Sequence, residues 1–360
     1  MAGDPSDYEV QAYDFELPPE LVAQEPLAVR DTSRLLLLER ASGALSHRTF
    51  SDLPQLLRPG DLLVTNRSRV FPARLLGLRQ GGGAAEILLV RCHAPDLWDA
   101  LVRPGRRLRP GAVVDVGTGL RVQIEDSGAG APAAGDGAPP PPLRRVRLLP
   151  DGLTPEAALE RHGHVPLPPY IRRADAPSDR ERYQTVYARE RGSVAAPTAG
   201  LHFTPALLER LLERGIERAE LVLHVGPGTF RPVEAADVRQ HRVDPERFTI
   251  PEDTAIAVDR ARAEGRRVVA VGTTATRALE TALGPGGRLR PGEGETGLVI
   301  VPGYRFRAVD ALLTNFHLPR SSLLLLVSAF GGRERVLSAY AEAVRQRYRF
   351  YSYGDAMLLG

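Results

Sequence analysis

The sequence predicts a mixed α/β protein with a separate β-rich segment in its middle. Outside the middle segment, apolar strand-like runs alternate with amphipathic helical stretches, whereas residues 71–153 hold short strand-like runs separated by glycine and proline turns. The chain has 360 residues and is 43% hydrophobic, which suggests a sizeable core and about two domains. We therefore expect an α/β domain made of residues 1–70 and 154–360, with 71–153 as an inserted β domain.

The middle segment predicts a small antiparallel sheet or barrel. Its strand-like pieces are "AEILLVRC", "AVVDVG", "GLRVQIED" and "RRVRLLP". Residues 127–142, "SGAGAPAAGDGAPPPP", show no apolar periodicity, so we expect a flexible loop there. "VVDVGTG" is similar to the first motif of Rossmann-type methyltransferases, but a strand-like run follows it and we expect a turn.

The rest of the chain reads as strands and helices in alternation. "TPALLERLLERG" predicts a helix with Thr204 as N-cap and Gly215 as its stop. "RRVVAVG" predicts a buried strand that leads into the helix "TTATRALETAL". "GLVIVPG" and "AVDALLTNF" predict further strands, and "RVLSAYAEAVRQRY" predicts the last long helix. "GEGETG" satisfies G-x-G-x-x-G but precedes a predicted strand rather than following one, so we expect a turn.

Composition excludes several classes of chemistry. All 47 basic residues are arginine, so neither a Schiff-base lysine nor a Walker-type lysine is available. Cys92 is the only cysteine, which excludes intrachain disulfides and thiolate zinc sites. His162 and His164 lack a third metal ligand nearby, and we expect no metal. No apolar run reaches the roughly 20 residues of a membrane span, and the start of the chain lacks the plan of a secretory signal. We therefore expect a cytoplasmic location.

The basic surplus lies in the middle segment. Residues 71–147 hold eleven arginines against seven acidic residues. The densest stretch is "RPGRRLRPG". It is typical of a surface that pairs with nucleic-acid phosphates, and equally of a solvated basic turn.

Four polar clusters each lie at the end of an apolar element. They are "APTAGLHF", "HVGPGTF", "VGTTATRALE" and "TNFHLP". Ligand sites of α/β proteins form at the carboxyl ends of strands, so we expect the four clusters to share one pocket.

These clusters carry a family resemblance. Together with Arg277, Glu280, "LVSAF" and the terminal "YRFYSYGDAM", they resemble the S-adenosylmethionine:tRNA ribosyltransferase-isomerases of queuosine biosynthesis. "DTSRLL", "RPGDLLVTNRSRV", "GHVPLPPYI" and "ERYQTVYA" extend the resemblance from about Tyr13 to Met357. It implies a larger α/β domain with an inserted small antiparallel β-barrel. Arg67 and Asp244 depart from the family pattern.

The resemblance also implies an activity. Members of the family transfer the ribosyl part of S-adenosylmethionine, their co-substrate, onto 7-aminomethyl-7-deazaguanine at the wobble position of tRNA. They then rearrange it to an epoxycyclopentane, which gives epoxyqueuosine in tRNA and releases adenine and methionine. We therefore expect an enzyme that binds S-adenosylmethionine and tRNA, needs no metal or membrane, and works as a monomer.

The chemistry suggests roles for the clustered residues. The sulfonium acidifies the adjacent ribose carbon, and we expect His202 or His317 to remove that proton. Asp355 is a candidate second acid or base. Asn315 is a candidate partner of the adenine edge, and Phe203, Phe230 or Phe316 could stack on it.

Further residues are candidates for binding. The helix start at Thr273 and Thr274, with Arg277, suits the methionine carboxylate. Glu280 is expected either to hold the methionine ammonium or only to pair with Arg277. The remaining substrate-binding candidates are Thr198 and His224, and the tRNA-binding candidates are Arg69, Arg103, Arg106 and Arg107.

Two other functions stay open from the sequence. A non-catalytic RNA-binding protein would explain the basic middle segment but leaves the polar clusters without a role. An S-adenosylmethionine-dependent RNA methyltransferase of unusual fold would release S-adenosylhomocysteine rather than adenine and methionine. The small products therefore separate the possibilities.

Overall fold

The computed structural model describes residues 5–126 and 143–360, so the predicted loop at 127–142 lies outside the described residues. The described residues form eight α-helices and several short 3-10 helices. The α-helices are α1 (Leu53–Leu56), α2 (Pro155–His162), α3 (Asp179–Arg182), α4 (Pro205–Glu213), α5 (Glu252–Ala263), α6 (Gly272–Ala282), α7 (Ser322–Gly331) and α8 (Arg333–Arg345).

Nine strands form one mixed sheet. From one edge to the other they are β15 (Gly292–Thr296), β13 (Glu246–Ile250), β12 (Glu217–Leu223), β3 (Leu62–Asn66), β14 (Val268–Val271), β16 (Ala311–Asn315), β17 (Ala356–Leu359), β1 (Arg34–Leu38) and β2 (Leu45–Thr49). A separate two-stranded ladder pairs β4 (Ser68–Val70) with β11 (Glu190–Ser193).

The four central strands β12, β3, β14 and β16 run parallel to one another. Their carboxyl ends therefore meet at one edge of the sheet, where Asn66, Leu223, Val271 and Asn315 are the last strand residues. β17 is antiparallel to β16, and β1 is parallel to β17, so the amino ends of β17 and β1 reach the same place. We call this line of strand ends the carboxyl edge.

Both faces of the sheet are buried, which explains the continuous apolar runs of its strands. Leu62 and Leu312 belong to one core, into which α5, α6, α7 and α8 also pack. Leu63 and Leu313, their chain neighbours, belong to a second core that includes α1 and α4. This division follows from the alternation of side chains along a strand.

Contacts within the chain separate a second compact unit, Val70–Leu167 with Ala174–Glu181, from a first unit made of Met1–Arg69, Pro168–Arg173 and Arg182–Gly360. The second unit holds a closed antiparallel barrel, which confirms the predicted fold class. Its strands in order are β10 (Arg144–Pro150), β7 (Leu97–Arg103), β6 (Ala84–Ala94), β5 (Arg74–Arg79), β8 (Val113–Gly117) and β9 (Leu120–Ile124). The predicted domain boundaries at residues 70 and 153 stay a prediction.

The three helices that the sequence predicts lie at the predicted positions. The Thr204 hydroxyl accepts a hydrogen bond from the Leu207 amide at 3.1 Å, so it caps α4, and Gly215 has a positive φ of 73° just beyond that helix. α6 and α8 lie where the sequence predicts them. Within the described residues, no helix is long and apolar enough to cross a membrane.

Two predictions around residues 292–303 are wrong. "GEGETG" is not a turn, because Gly292–Thr296 forms the edge strand β15, paired with β13, and its exposed Glu293 and Glu295 discourage further pairing at that edge. "GLVIVPG", at 297–303, forms no strand. The carbonyl of Leu298 there accepts from the Arg277 side chain rather than from a neighbouring strand.

The barrel offers a direct test of close packing. A Cβ added at Gly77 of β5 would lie 2.3 Å from the backbone oxygen of Asp115 in β8. We expect Gly77→Ala to lower the unfolding free energy of the barrel by about 1–3 kcal/mol, because a backbone atom cannot move aside cheaply. Fluorescence of Trp98, the single tryptophan, reports barrel unfolding in denaturant.

Gly105→Ala is the matched control, since its added Cβ meets nothing closer than 3.6 Å. Equal unfolding midpoints for the two variants would contradict the barrel packing described above.

Candidate active site

His202 lies at the carboxyl edge, held between two polar side chains. It ends the short 3-10 helix Thr198–His202 and is only 4% exposed. Its Nε2 lies 3.0 Å from the Asn315 amide nitrogen, and its Nδ1 lies 2.7 Å from the Ser33 hydroxyl. A side-chain amide presents both a donor and an acceptor, so Asn315 fits either neutral tautomer of the ring. The contacts with Asn315 and Ser33 fix the orientation of the imidazole but not which ring nitrogen carries the proton.

The surroundings keep this imidazole neutral. Burial, together with the charges of Arg30 and Arg349, lowers the pKa of His202 to about 3. The ring also stacks on Phe50, with centroids 4.9 Å apart. At neutral pH the His202 side chain is therefore an uncharged proton acceptor of low basicity.

His202 and Ser33 open onto a cleft in the first unit. Its empty volume, including the open mouth, is about 290 Å³. Of the described residues that line it, two are arginines and none is acidic. The lining residues are Pro26, Leu27, Arg30, Ser33, Arg182, Leu201, His202, Ser352, Tyr353 and Gly354.

His317 reaches the carboxyl edge from the opposite face of the sheet. Its Nε2 lies 2.9 Å from the Thr314 hydroxyl, and burial lowers its pKa to about 3. In the ladder between β16 and β17, Thr314 lies opposite Met357 of the first core, and Asn315 lies opposite Ala356 of the second core. Residues opposite each other in a ladder lie on the same face of the sheet, so Thr314 and Asn315 lie on different faces. The two candidate bases thus contact opposite faces, and His317 is not among the residues that line the cleft.

The start of α6 is buried rather than open. Thr273 and Thr274 are both buried, and the Asn66 amide lies 3.4 Å from the Thr274 hydroxyl. Gly272 begins the helix with a φ of 89°, a conformation that favours glycine.

Each of the three nitrogens of the Arg277 guanidinium has a partner inside the protein. It pairs with Glu246 at 2.5 Å and donates to the carbonyls of Leu298 and Thr296 at 3.0 and 3.3 Å. Glu246 also accepts from the Gly226 amide at 2.9 Å and from the Thr229 hydroxyl at 3.0 Å. The ion pair therefore holds α6 to the loop that follows β12.

Glu280 does not pair with Arg277, which corrects one of the two predicted alternatives. Its carboxylate accepts from the amides of Arg307 and Ala308 and from the Tyr304 hydroxyl, at 2.9–3.1 Å. Three donors from one loop satisfy the charge, so Glu280 fixes residues 304–308 against α6.

The Asp355 carboxylate is also bonded to groups inside the protein. Its carboxylate is 1% exposed and accepts from the backbone amides of Arg34 and Arg349, both at 2.8 Å. It also pairs with the Arg34 guanidinium at 3.3 Å. Asp355 thus joins the start of β1 to the turn that supplies Ser352 and Gly354 to the cleft.

Two of the predicted stacking rings, Phe203 and Phe316, lie in the cores. Phe203 packs edge-on against Phe50 at 5.0 Å, and Phe316 lies among Tyr340, Tyr348 and Phe350. Both rings are fully buried, so a purine could stack on them only if the core opened.

Two other candidates lie away from the cleft lining. Thr198 is half-buried at the start of the 3-10 helix. The His224 ring packs against Gly192, where an added Cβ would lie 2.7 Å from it. Burial and the charge of Arg247 lower the pKa of His224, and its buried Nδ1 has no hydrogen-bond partner among the described residues.

The candidate tRNA-binding arginines are exposed in their own units. Arg69 lies in β4 of the first unit, and the other three lie at the end of β7 and in the turn after it, in the barrel unit: Arg103, Arg106 and Arg107. Among the described residues, no group of three His, Cys, Asp or Glu side chains is arranged to hold a metal ion.

Comparison with known proteins assigns the family. The model of the family described as "Queuosine biosynthesis protein" matches residues 10–359. A relative from Moorella thermoacetica, named S-adenosylmethionine:tRNA ribosyltransferase-isomerase, is 52% identical and covers 97% of this chain and 99% of its own. A relative of the same name from Thermus thermophilus is 54% identical with the same coverage. This chain belongs to the queuosine biosynthesis protein family.

A solved structure of the family agrees with the fold. The crystal structure of S-adenosylmethionine tRNA ribosyltransferase from Thermotoga maritima matches with a TM-score of 0.54 and 37% identity. The match covers 97% of this chain and 100% of that one. The family resemblance seen in the sequence and the predicted enzyme class, a ribosyltransferase-isomerase, are confirmed.

The two departures from the family pattern have local partners in this chain. The Arg67 guanidinium lies 3.4 Å from Glu190 and 3.8 Å from Glu220. Asp244 lies 3.7 Å from Arg231. Each changed residue therefore has an opposite charge nearby.

Sequence reasoning found only His202 among the described residues of the cleft and missed its other polar side chains, among them Ser33, Arg30 and Arg182. Ser33 lies in the quoted "DTSRLL", where its contact with His202, 169 residues away, leaves no local signal. Arg30 and Arg182 do not stand out in a chain whose basic residues are all arginine.

The buried Arg277–Glu246 pair should dominate local stability. We expect Glu246→Gln to lower the unfolding free energy by roughly 3–5 kcal/mol, because it leaves the Arg277 charge buried without a counter-charge. The double variant Glu246→Gln/Arg277→Met should lose less than the sum of the single changes. Denaturant unfolding followed by far-ultraviolet circular dichroism measures both.

Glu264→Gln is the control, because Glu264 pairs with Arg266 at the surface, where such pairs contribute less than about 1 kcal/mol. A loss no larger for Glu246→Gln than for Glu264→Gln would show that the buried pair does not stabilise this region.

Proposed function

We propose that this chain transfers the ribosyl part of S-adenosylmethionine onto 7-aminomethyl-7-deazaguanine at the tRNA wobble position and isomerises it. The products are epoxyqueuosine-tRNA, adenine and methionine. Family membership supports the reaction class. The observation that carries the proposal is a neutral histidine, oriented by Asn315 and Ser33, that lines an open cleft.

His202 is the proposed base. With the Asn315 amide turned so that its oxygen accepts from Nε2–H, the Nδ1 lone pair faces Ser33 and the cleft. In that tautomer Nδ1 takes the proton from the ribose carbon next to the sulfonium, either directly or through the Ser33 hydroxyl. The imidazolium that forms keeps its bond to the Asn315 oxygen. His317 has no such route, because it contacts the other face of the sheet.

Other polar residues at the carboxyl edge are proposed to position the site. Arg277 with Glu246, Glu280, and Asp355 each satisfy their charges within the protein, so we assign them to holding loops rather than to binding substrate. Thr198, Thr273, Thr274 and His224 remain candidates for substrate contacts. Arg69 and the barrel residues Arg103, Arg106 and Arg107 are proposed to contact tRNA phosphates. The monomeric state and the cytoplasmic location stay predictions.

Adenine release tests the proposal. The purified protein, given S-adenosylmethionine and tRNA that carries the aminomethyl-deazaguanine base, should release adenine only when both are present. His202→Gln should fold and slow that release by roughly 10²–10⁴-fold, the usual contribution of a general base. His47→Gln, on the exposed strand β2, is the control and should retain the wild-type rate.

The outcomes separate the candidates. Full activity of His202→Gln together with an inactive, folded His317→Gln would identify His317 as the base. S-adenosylhomocysteine in place of adenine would indicate a methyltransferase. Bound tRNA with neither product would indicate a non-catalytic RNA-binding protein.

A further inference from the structure

The cleft beside His202 concentrates positive charge. Arg30 and Arg182 line it, and Arg349 is close enough that its charge, with that of Arg30, lowers the pKa of His202. No acidic side chain is among the lining residues. The nearby carboxylate of Asp355 is already occupied by Arg34 and by backbone amides.

Two of these arginines are held by one segment of backbone. Arg182 donates from Nη1 to the carbonyl of Ala28 at 3.1 Å and from Nη2 to that of Leu27. Arg349 donates from Nη2 to the carbonyl of Glu25. Carbonyl oxygens orient a guanidinium but do not neutralise it, so the positive charges stay beside the cleft.

Each of the two guanidiniums keeps one buried donor without a partner. They are the Nε of Arg182 and the Nη1 of Arg349, which have no hydrogen-bond partner among the described residues. Buried donors are rarely left unsatisfied, and a charged donor is the costliest kind to leave so. Burial also lowers the pKa of Arg349, which shows that its charge is poorly solvated.

We propose that Arg182 and Arg30, which line this cleft, bind an anionic oxygen group of a substrate there. The inference rests on the proposed function. Two groups have the required chemistry, the carboxylate of the methionine part of S-adenosylmethionine and a phosphate of the tRNA. This site replaces the predicted carboxylate contact of Arg277, whose donors are taken by Glu246 and two carbonyls.

The anion site would also activate the base. The positive charges of Arg30 and Arg349 disfavour a protonated His202. An anion bound at Arg30 and Arg182 offsets that repulsion and makes the imidazole a better proton acceptor. The site therefore couples substrate binding to the basicity of His202, and the free enzyme holds a weak base until the substrate is in place.

Arg182→Gln in the full-length protein tests this proposal, with Arg214→Gln as a matched control. Arg214 is an exposed arginine just after α4, and its replacement makes the same change of charge. We expect Arg182→Gln to raise the KM of one substrate by about 10- to 100-fold, as removal of a charged hydrogen bond does. Arg182→Lys should recover part of the loss, and Arg214→Gln should behave as wild type.

The KM values identify the source of the anion. A raised KM for S-adenosylmethionine with an unchanged KM for tRNA indicates the carboxylate. A raised KM for tRNA, with a salt dependence of binding weaker by about one counterion, indicates a phosphate. A folded Arg182→Gln whose KM values both lie within twofold of wild type overturns the proposal, even if kcat falls.

Two measurements keep the test independent of variant folding and of turnover. Inorganic phosphate should inhibit the wild-type enzyme competitively against the substrate whose anion enters the cleft, and absence of competition with either substrate counts against the site. If the wild type releases no adenine, the proposed function fails. The anion site is then tested by equilibrium binding of S-adenosylmethionine and of tRNA to the wild type and to Arg182→Gln. A tenfold weaker affinity of Arg182→Gln for one of them supports the site, and equal affinities contradict it.

Discussion

The parallel pairing of β12, β3, β14 and β16 is the constraint on which the rest of the site depends. Because the four strands run in one direction, the polar residues that follow them in the chain all emerge at one edge. β17 and β1 add their amino ends to the same edge, which brings Ser33 and Asp355 there as well. Residues from distant parts of the chain thus meet without any long loop.

The polar residues at this edge fall into two groups that have different physical tasks. Arg277, Glu246, Glu280 and Asp355 are buried and have their charges matched by other charges or by backbone amides. They hold loops in place, and removal of any one would leave an unsatisfied partner. The second group faces the cleft, and Arg182 there still has an unsatisfied buried donor. Of these two groups, the second is the one that can gain by binding a substrate.

Burial of His202 lowers its basicity but also fixes its orientation. A buried imidazole resists protonation, so it is a weak base in the free protein, and the nearby arginines weaken it further. The same burial keeps the ring neutral and fixes it between Asn315 and Ser33. An anionic substrate would remove part of the electrostatic penalty at the time the proton must move. Activation of the base would then depend on correct binding.

From the sequence alone, several local elements and the strand ends that carry polar residues were predictable, because these depend on neighbours in the chain. The Thr204 cap of α4 and the position of Asn315 at the end of an apolar strand are examples. Only the tertiary structure decided which histidine faces the cleft, since adjacent residues of β16 point to opposite sides of the sheet. It also decided that Arg277 pairs with Glu246, 31 residues away, rather than with Glu280 one helical turn on. Packing between elements determines which groups pair with buried charges, and a single sequence does not show that pairing.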